Sequence, residues 1–125
     1  MADLEAITRE YLSAFDARDV DKCVGFFAED GVVDFQDVEY EGRQALAEWH
    51  QERFAANLRL NKIENVRTKG ETVIVDAVAS SDRLKAWKIN SLKSRIEAKF
   101  TGDKIQHAKL TARVTSMFSL MRAGE

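Results

Sequence analysis

Proline is absent from this 125-residue chain and cysteine occurs once. Without proline, turns fall to Gly, Asp and Asn, which reach left-handed or side-chain-bonded backbone states. A single cysteine excludes an internal disulfide. Cys23 lies in an apolar helical pattern, so it is expected to be a buried, unreactive thiol. No apolar run approaches the roughly 20 residues that cross a bilayer, so no membrane partner is expected. Neither sign of charge dominates: 19 Lys and Arg stand against 21 Asp and Glu, a net charge of −2. The basic residues are scattered, and phosphate-backbone binding needs them gathered, so no nucleic-acid partner is expected. The two histidines, His50 and His107, lie far apart and match no metal-ligand spacing with Cys23. Neither a glycine-rich phosphate loop nor a Gly-x-Ser-x-Gly elbow occurs. No metal or cofactor is therefore expected. Met1 to Glu5 is polar and acidic where a secretory leader is basic and then apolar. With the lone thiol, this points to a cytoplasmic protein.

What is present is an ordinary globular composition, 45% hydrophobic and 32% charged, at a length that suits one domain over residues 1–125. Leu4, Ile7, Tyr11, Ala14 and Phe15 recur at helical spacing, which predicts a helix over 3–17. Asp19 is placed to cap a second helix carrying Val20, Cys23, Val24, Phe26 and Phe27, with Gly31 as its left-handed end. Val32 to Phe35 is a short strand pattern, and Asp37 to Glu41 a polar connection. Gly42 opens a third helix with Leu46, Trp49, His50, Arg53, Phe54 and Asn57 on one side.

After residue 58 the period changes. The 58–68 stretch alternates loosely, and Lys69-Gly70-Glu71 is a hairpin turn. Residues 72–80 are apolar on both parities, which predicts a central strand covered on both faces. Ser81-Asp82 can cap a short helix over 83–88 or begin a lid-like loop. Residues 91–100 and 105–115 alternate as strands around the turn 101–104, and 116–125 is a short helix or a frayed tail. Helices first and a strand meander afterwards give an α+β class: three N-terminal helices packed in a strongly curved antiparallel sheet.

Four local motifs in this order resemble the SnoaL-like branch of the NTF2-like superfamily. They are Tyr11-Leu12-Ser13-Ala14-Phe15-Asp16-Ala17-Arg18-Asp19-Val20-Asp21, Phe26-Phe27-Ala28-Glu29-Asp30-Gly31-Val32-Val33, Tyr40-Glu41-Gly42-Arg43-Gln44-Ala45-Leu46 and Gly102-Asp103-Lys104-Ile105. The resemblance implies a cone-shaped fold with an apolar pocket and a homodimer formed through the sheet face. It is nearly silent on function, because the fold hosts isomerases, cyclases, dehydratases, epoxide hydrolases and non-catalytic adaptors. Laid on the ketosteroid isomerase pattern, Tyr11 matches the oxyanion tyrosine. The base position falls on Phe35, with Asp34 one residue earlier, and the protonated-acid position falls on Ile96. Two of three catalytic groups are thus missing.

The same alignment puts Ile74, Asp76, Val78 and Ser80 on the pocket face. A carboxylate in apolar surroundings has a raised pKa and can serve as a general acid or base near neutrality. The competing expectation is an Arg or Lys partner for Asp76 at an edge. His50 occupies a third-helix position from which it can bond Tyr11. His107 shares a polar sheet face with Lys62, Arg67, Arg95, Glu97, Lys99 and Lys109. The expected catalytic set is Asp76, Tyr11 and His50. The expected ligand-binding set is Phe15, Phe35, Trp49, Phe54, Ile74, Val78, Trp87, Ile96, Ala108 and Leu110. Three functions stay open. One is cofactor-free proton transfer of isomerase, cyclase or dehydratase type on a small apolar molecule bearing a carbonyl or hydroxyl. The second is binding of such a molecule without reaction, and the third is a dimeric adaptor.

Overall fold

The computed structural model describes residues 3–88 and 91–112. Helix α1 (Leu4–Asp16) starts at Asp3, whose side chain accepts from the Ala6 N–H, and α2 (Val20–Gly25) starts at Asp19, which accepts from Lys22. Each carboxylate satisfies an otherwise unbonded first-turn donor and sits at the positive end of the helix dipole. Strand β1 (Phe27–Phe35) follows, then β2 (Val38–Glu41), α3 (Arg43–Ala55), β3 (Arg59–Lys69), β4 (Thr72–Ser80), α4 (Asp82–Ala86), β5 (Leu92–Thr101) and β6 (Lys104–Ala112).

Several expectations need correction. Phe27 and Gly31 belong to β1, not to the second helix or its cap. Gly31 is required by close approach: a Cβ there would meet the Ala28 and Ile105 carbonyl oxygens at 3.0 and 3.1 Å. The polar stretch before Gly42 is not a loop but β2, hairpinned onto β1 through Gln36-Asp37, both at positive φ. Its polarity misleads because β2 is an edge strand with mostly exposed side chains. The described residues hold four helices. The sheet runs β2-β1-β6-β5-β4-β3, with β1 and β6 parallel and the other pairs antiparallel. Expectations for 113–125 lie outside the described residues.

Side chains alternate across a strand. On β4, Val73, Val75 and Ala77 enter the core with Phe27, Val33, Ile96, Ala98, Phe100, Leu46 and Trp49. Full burial of each large apolar side chain contributes about 1.5–3 kcal/mol. The even residues of β4 point to the opposite, outer face. There Ile74 and Val78 are only half-buried, so β4 is interior to the sheet but not fully covered by the described residues on both sides. At the other end of the core, Arg18 (φ 59°) bonds the Phe54 carbonyl and Asn57 Oδ1, tying the α1–α2 break to the end of α3.

Candidate functional site

The inner face of the sheet is not filled along its whole length. A cavity of about 480 Å³ opens between the last turn of α3, the end of β1 with its hairpin turn, α4, and the paired strands β5 and β6. Register explains its floor: Val75 pairs with Ile96, Ile96 with Leu110, and Leu110 with Phe35, so one inward row crosses four strands. Phe35, Ile96 and Leu110 line the cavity together with Leu84, Trp87, Leu92 and Ala79. Trp87 stands at the rim, 66% exposed.

The lining also includes polar side chains: Ser81, Ser94, Thr111 and Gln36, and the charged Arg53, Asp34, Asp37 and Lys109. Arg53 sits one helical turn after Trp49 on α3. Its guanidinium lies 4.9 Å from the Phe35 ring centroid, and the Phe35 and Trp49 rings are 5.6 Å apart. Arg53 Nε and Trp49 Nε1 are both buried and have no hydrogen-bond acceptor among the described residues. Buried N–H donors without acceptors are uncommon and costly. Of the two residues, Arg53 is in the cavity wall and Trp49 is not. The sequence lists Arg53 on the apolar side of α3; that charge among Trp49, His50 and Phe54 was the available signal.

A second concavity of about 470 Å³ lies between α1 and β3. Arg9, Arg18, Arg59 and Asp16 line much of it, and Arg18 is already committed to Phe54 and Asn57. Its lining is mixed, with Leu12, Phe15, Leu58, Leu60 and Ile63 beside the charged groups.

The expected catalytic residues do not converge on the cavity. Tyr11 and His50 do meet: Tyr11 Oη is 2.8 Å from His50 Nε2, and His50 Nδ1 is 2.7 Å from the Leu46 carbonyl. A carbonyl only accepts, so Nδ1 carries the proton and donates. Nε2 then accepts from the Tyr11 hydroxyl. Burial lowers the His50 pKa to about 4, against the smaller opposing effect of the Leu46 bond, so the ring is neutral at pH 7. Burial, with a smaller contribution from Cys23, raises the Tyr11 pKa. Both residues lie in an aromatic cluster with Phe15, Phe27 and Trp49. The tyrosine proton is spent inside the core. Nearby Cys23 is buried, and burial, then Asp19, push its thiol up to about 12, an unreactive state.

Asp76 is on the other side of the sheet. Its carboxylate is bound by Arg95, Nε to Oδ1 at 2.8 Å and Nη2 to Oδ2 at 3.4 Å, across the β4–β5 pair that places the two residues opposite each other. The placement of Ile74, Asp76, Val78 and Ser80 on the pocket face is therefore reversed, since the odd residues of β4 face inward. A strand apolar on both parities gives no inward direction by itself, but its lone carboxylate marks the outer side. Phe35 and Ile96, at the base and acid positions of the isomerase pattern, are both in the cavity wall. The register shift in β1 lies between Phe27 and Val32 and leaves Val33 and Phe35 inward, so Asp34 keeps to the opposite parity, although it is among the residues lining the cavity.

Of the ligand-binding candidates, Phe35, Trp87, Ile96 and Leu110 line the cavity. Trp49 is buried behind Phe35, Ala108 is buried in the core, and Phe54 packs on Phe15 at 5.0 Å. Ile74 and Val78 are on the outer face. Among the described residues no cluster of three or more His, Cys, Asp or Glu is placed to hold a metal ion, and no helix is long and apolar enough to cross a membrane.

The fold has many solved counterparts. A protein from Sphaerobacter thermophilus superposes with a TM-score of 0.73 at 23% identity, covering 86% of this chain and 93% of its own. SalBIII, an epoxide hydrolase/cyclase-like enzyme of pyran ring formation in the polyether salinomycin, superposes at 0.76 with 20% identity over 89% of this chain and 91% of its own. A protein of ketosteroid isomerase-like fold from Catenulispora acidiphila, in complex with trimethylamine, superposes at 0.73 with 16% identity over 90% and 89%. At these identities the likeness establishes the NTF2-like fold. No curated protein matches the chain. The model of the SnoaL-like domain matches residues 8–124, nearly the full length, and the chain belongs to the SnoaL-like family.

Proposed function

We propose that this protein binds a small, largely apolar molecule carrying an accepting oxygen in the cavity between α3, α4 and the ends of β5 and β6. One observation carries the proposal: a hollow of about 480 Å³, apolar over most of its surface, whose α3 wall holds the guanidinium of Arg53. Ligand sites have this composition, a mostly apolar lining with few polar groups that fix orientation. A ligand carbonyl or hydroxyl would accept from that guanidinium. Trp87 and Leu84 on and beside α4 would cover it.

Binding without reaction is favoured over proton transfer. General acid–base chemistry needs a titratable group within hydrogen-bond reach of the substrate. Tyr11 and His50 are occupied with each other, Asp76 is occupied with Arg95, and Phe35 and Ile96 carry no proton. Asp34, Asp37 and Lys109, which line the cavity, are the groups a proton-transfer reading would have to use. Likeness to SalBIII in fold keeps cyclisation as the comparison reaction.

The test is a heteronuclear NMR titration with benzylacetone, a small aryl ketone, followed by mass spectrometry of the recovered ligand. Shifts confined to Phe35, Trp87, Ile96 and Leu110, abolished by Ser94→Trp, are expected, with the ketone returned unchanged. Shifts scattered over the surface would remove the proposal. Conversion of the ketone would replace binding with catalysis.

Self-association through the outer sheet face belongs to the same proposal, supported by half-buried Ile74 and Val78 flanking Asp76. Sedimentation velocity is expected to give a dimer that Val78→Arg dissociates; a monomeric wild type would exclude it.

A further inference from the structure

Arg53 is a cation in a mostly apolar wall. Its side chain is 17% exposed, and its ion-pair partner among the described residues is Glu52 at 3.7 Å, a sequence neighbour whose own side chain is 64% exposed. No hydrogen bond joins the two, so the contact offsets little of the cost of withdrawing a guanidinium from water. The ring of Phe35 covers one face of the cation at 4.9 Å, and the Nε–H stays unbonded. The other charges at the cavity do not resolve this. Asp34 is the register partner of Lys109 across the parallel β1–β6 pair, and Asp37 sits in the exposed hairpin turn. Neither acid comes within 4.0 Å of Arg53 among the described residues.

A neutral carbonyl would occupy one N–H of this group and leave its charge uncompensated. A carboxylate would take two N–H bonds in the planar fork and cancel the charge as well. A phosphate monoester would bring nearly two negative charges into a wall that is apolar over most of its surface. We propose, extending the binding reading above, that the ligand is a monocarboxylate with an apolar aryl or alkyl body. Its carboxylate is held by Arg53 over Phe35, and its body lies on Ile96, Leu110 and Trp87.

The test compares three molecules of matched shape on the full chain by calorimetry at pH 7 and low salt: phenylpropionate, phenylpropionamide and benzylacetone. The acid is expected to bind at least about tenfold more tightly than either neutral analogue, the difference made by a charge-assisted bond. Arg53→Met, which keeps an apolar stem on Phe35, is expected to level the three. Arg53→Lys is expected to restore part of the preference. If the acid binds no better than the ketone and amide, the carboxylate proposal is overturned and the cavity proposal stands. If none of the three binds at millimolar concentration, both are overturned. The wild-type comparison decides the matter even where a variant fails to fold.

Discussion

Two polar sites on α3 are separated by less than one turn and have opposite fates. At His50 every ring nitrogen is used: Leu46 accepts from one and Tyr11 donates to the other. At Trp49 Nε1 and Arg53 Nε two N–H groups are buried with no acceptor among the described residues. Burial alone does not distinguish these sites, since Trp49 and His50 are both nearly inaccessible. Completeness does. A closed hydrogen-bond set stabilises and specifies a core, whereas an open one keeps a stability cost.

The largest effect should come from opening the closed site. His50→Leu leaves the Tyr11 hydroxyl buried without an acceptor and is expected to cost about 2–3 kcal/mol in urea unfolding. Adding Tyr11→Phe to it should restore part of the loss, because the orphaned group is then gone. If the double variant is as unstable as the sum of the singles, the pair is not the closed unit described here.

Acid should reach the same site next. The folded-state pKa of His50, about 4, lies below its ordinary value of 6.5. Between these values the unfolded chain binds a proton that the folded chain refuses, so stability rises with pH across that window. The His50 contribution is complete above pH 6.5 and lost as pH falls towards 4, a change of about 3 kcal/mol at most. Urea midpoints from pH 4 to 7 for wild type and His50→Gln would isolate it. Parallel profiles would mean that His50 does not titrate in this range.

A smaller loss is expected from Asp76→Asn, which weakens the outer pair with Arg95. Its thermal unfolding should shift down modestly while benzylacetone affinity stays at the wild-type value. A lost affinity would return Asp76 to the cavity. The smallest effect is expected at the open site. Trp49→Phe keeps the ring against Phe35 and removes one donor that has no acceptor, so stability should stay within about 1 kcal/mol of wild type. A large loss there would show that Trp49 Nε1 has a partner.

The helices were legible for a physical reason. Tyr11, Ala14 and Phe15 keep helical spacing, and Asp19 is an acid placed to cap the helix that begins at Val20. The Tyr11–His50 contact was anticipated from family resemblance, but its direction was not. Only the Leu46 carbonyl on Nδ1 shows that the tyrosine proton points into the core. Strand β2 was missed because an exposed edge strand lacks the alternation that identifies a half-buried one. Asp76 was put on the wrong face because β4 is apolar on both parities, and a shift of one residue reverses every side chain.

The amino-acid sequence by itself determined the α+β class, the family, the want of a disulfide, and the apolar stock from which Phe35, Ile96 and Leu110 come. Those follow from composition and local periodicity, which act over a few residues. Tertiary structure alone decided which face of β4 turns inward, that Arg95 takes Asp76, and that the Arg53 guanidinium ends over Phe35 in the cavity wall. Such facts depend on strand register and on the packing of α3 against the sheet. They are set by contacts between residues far apart in the chain, which no local pattern encodes.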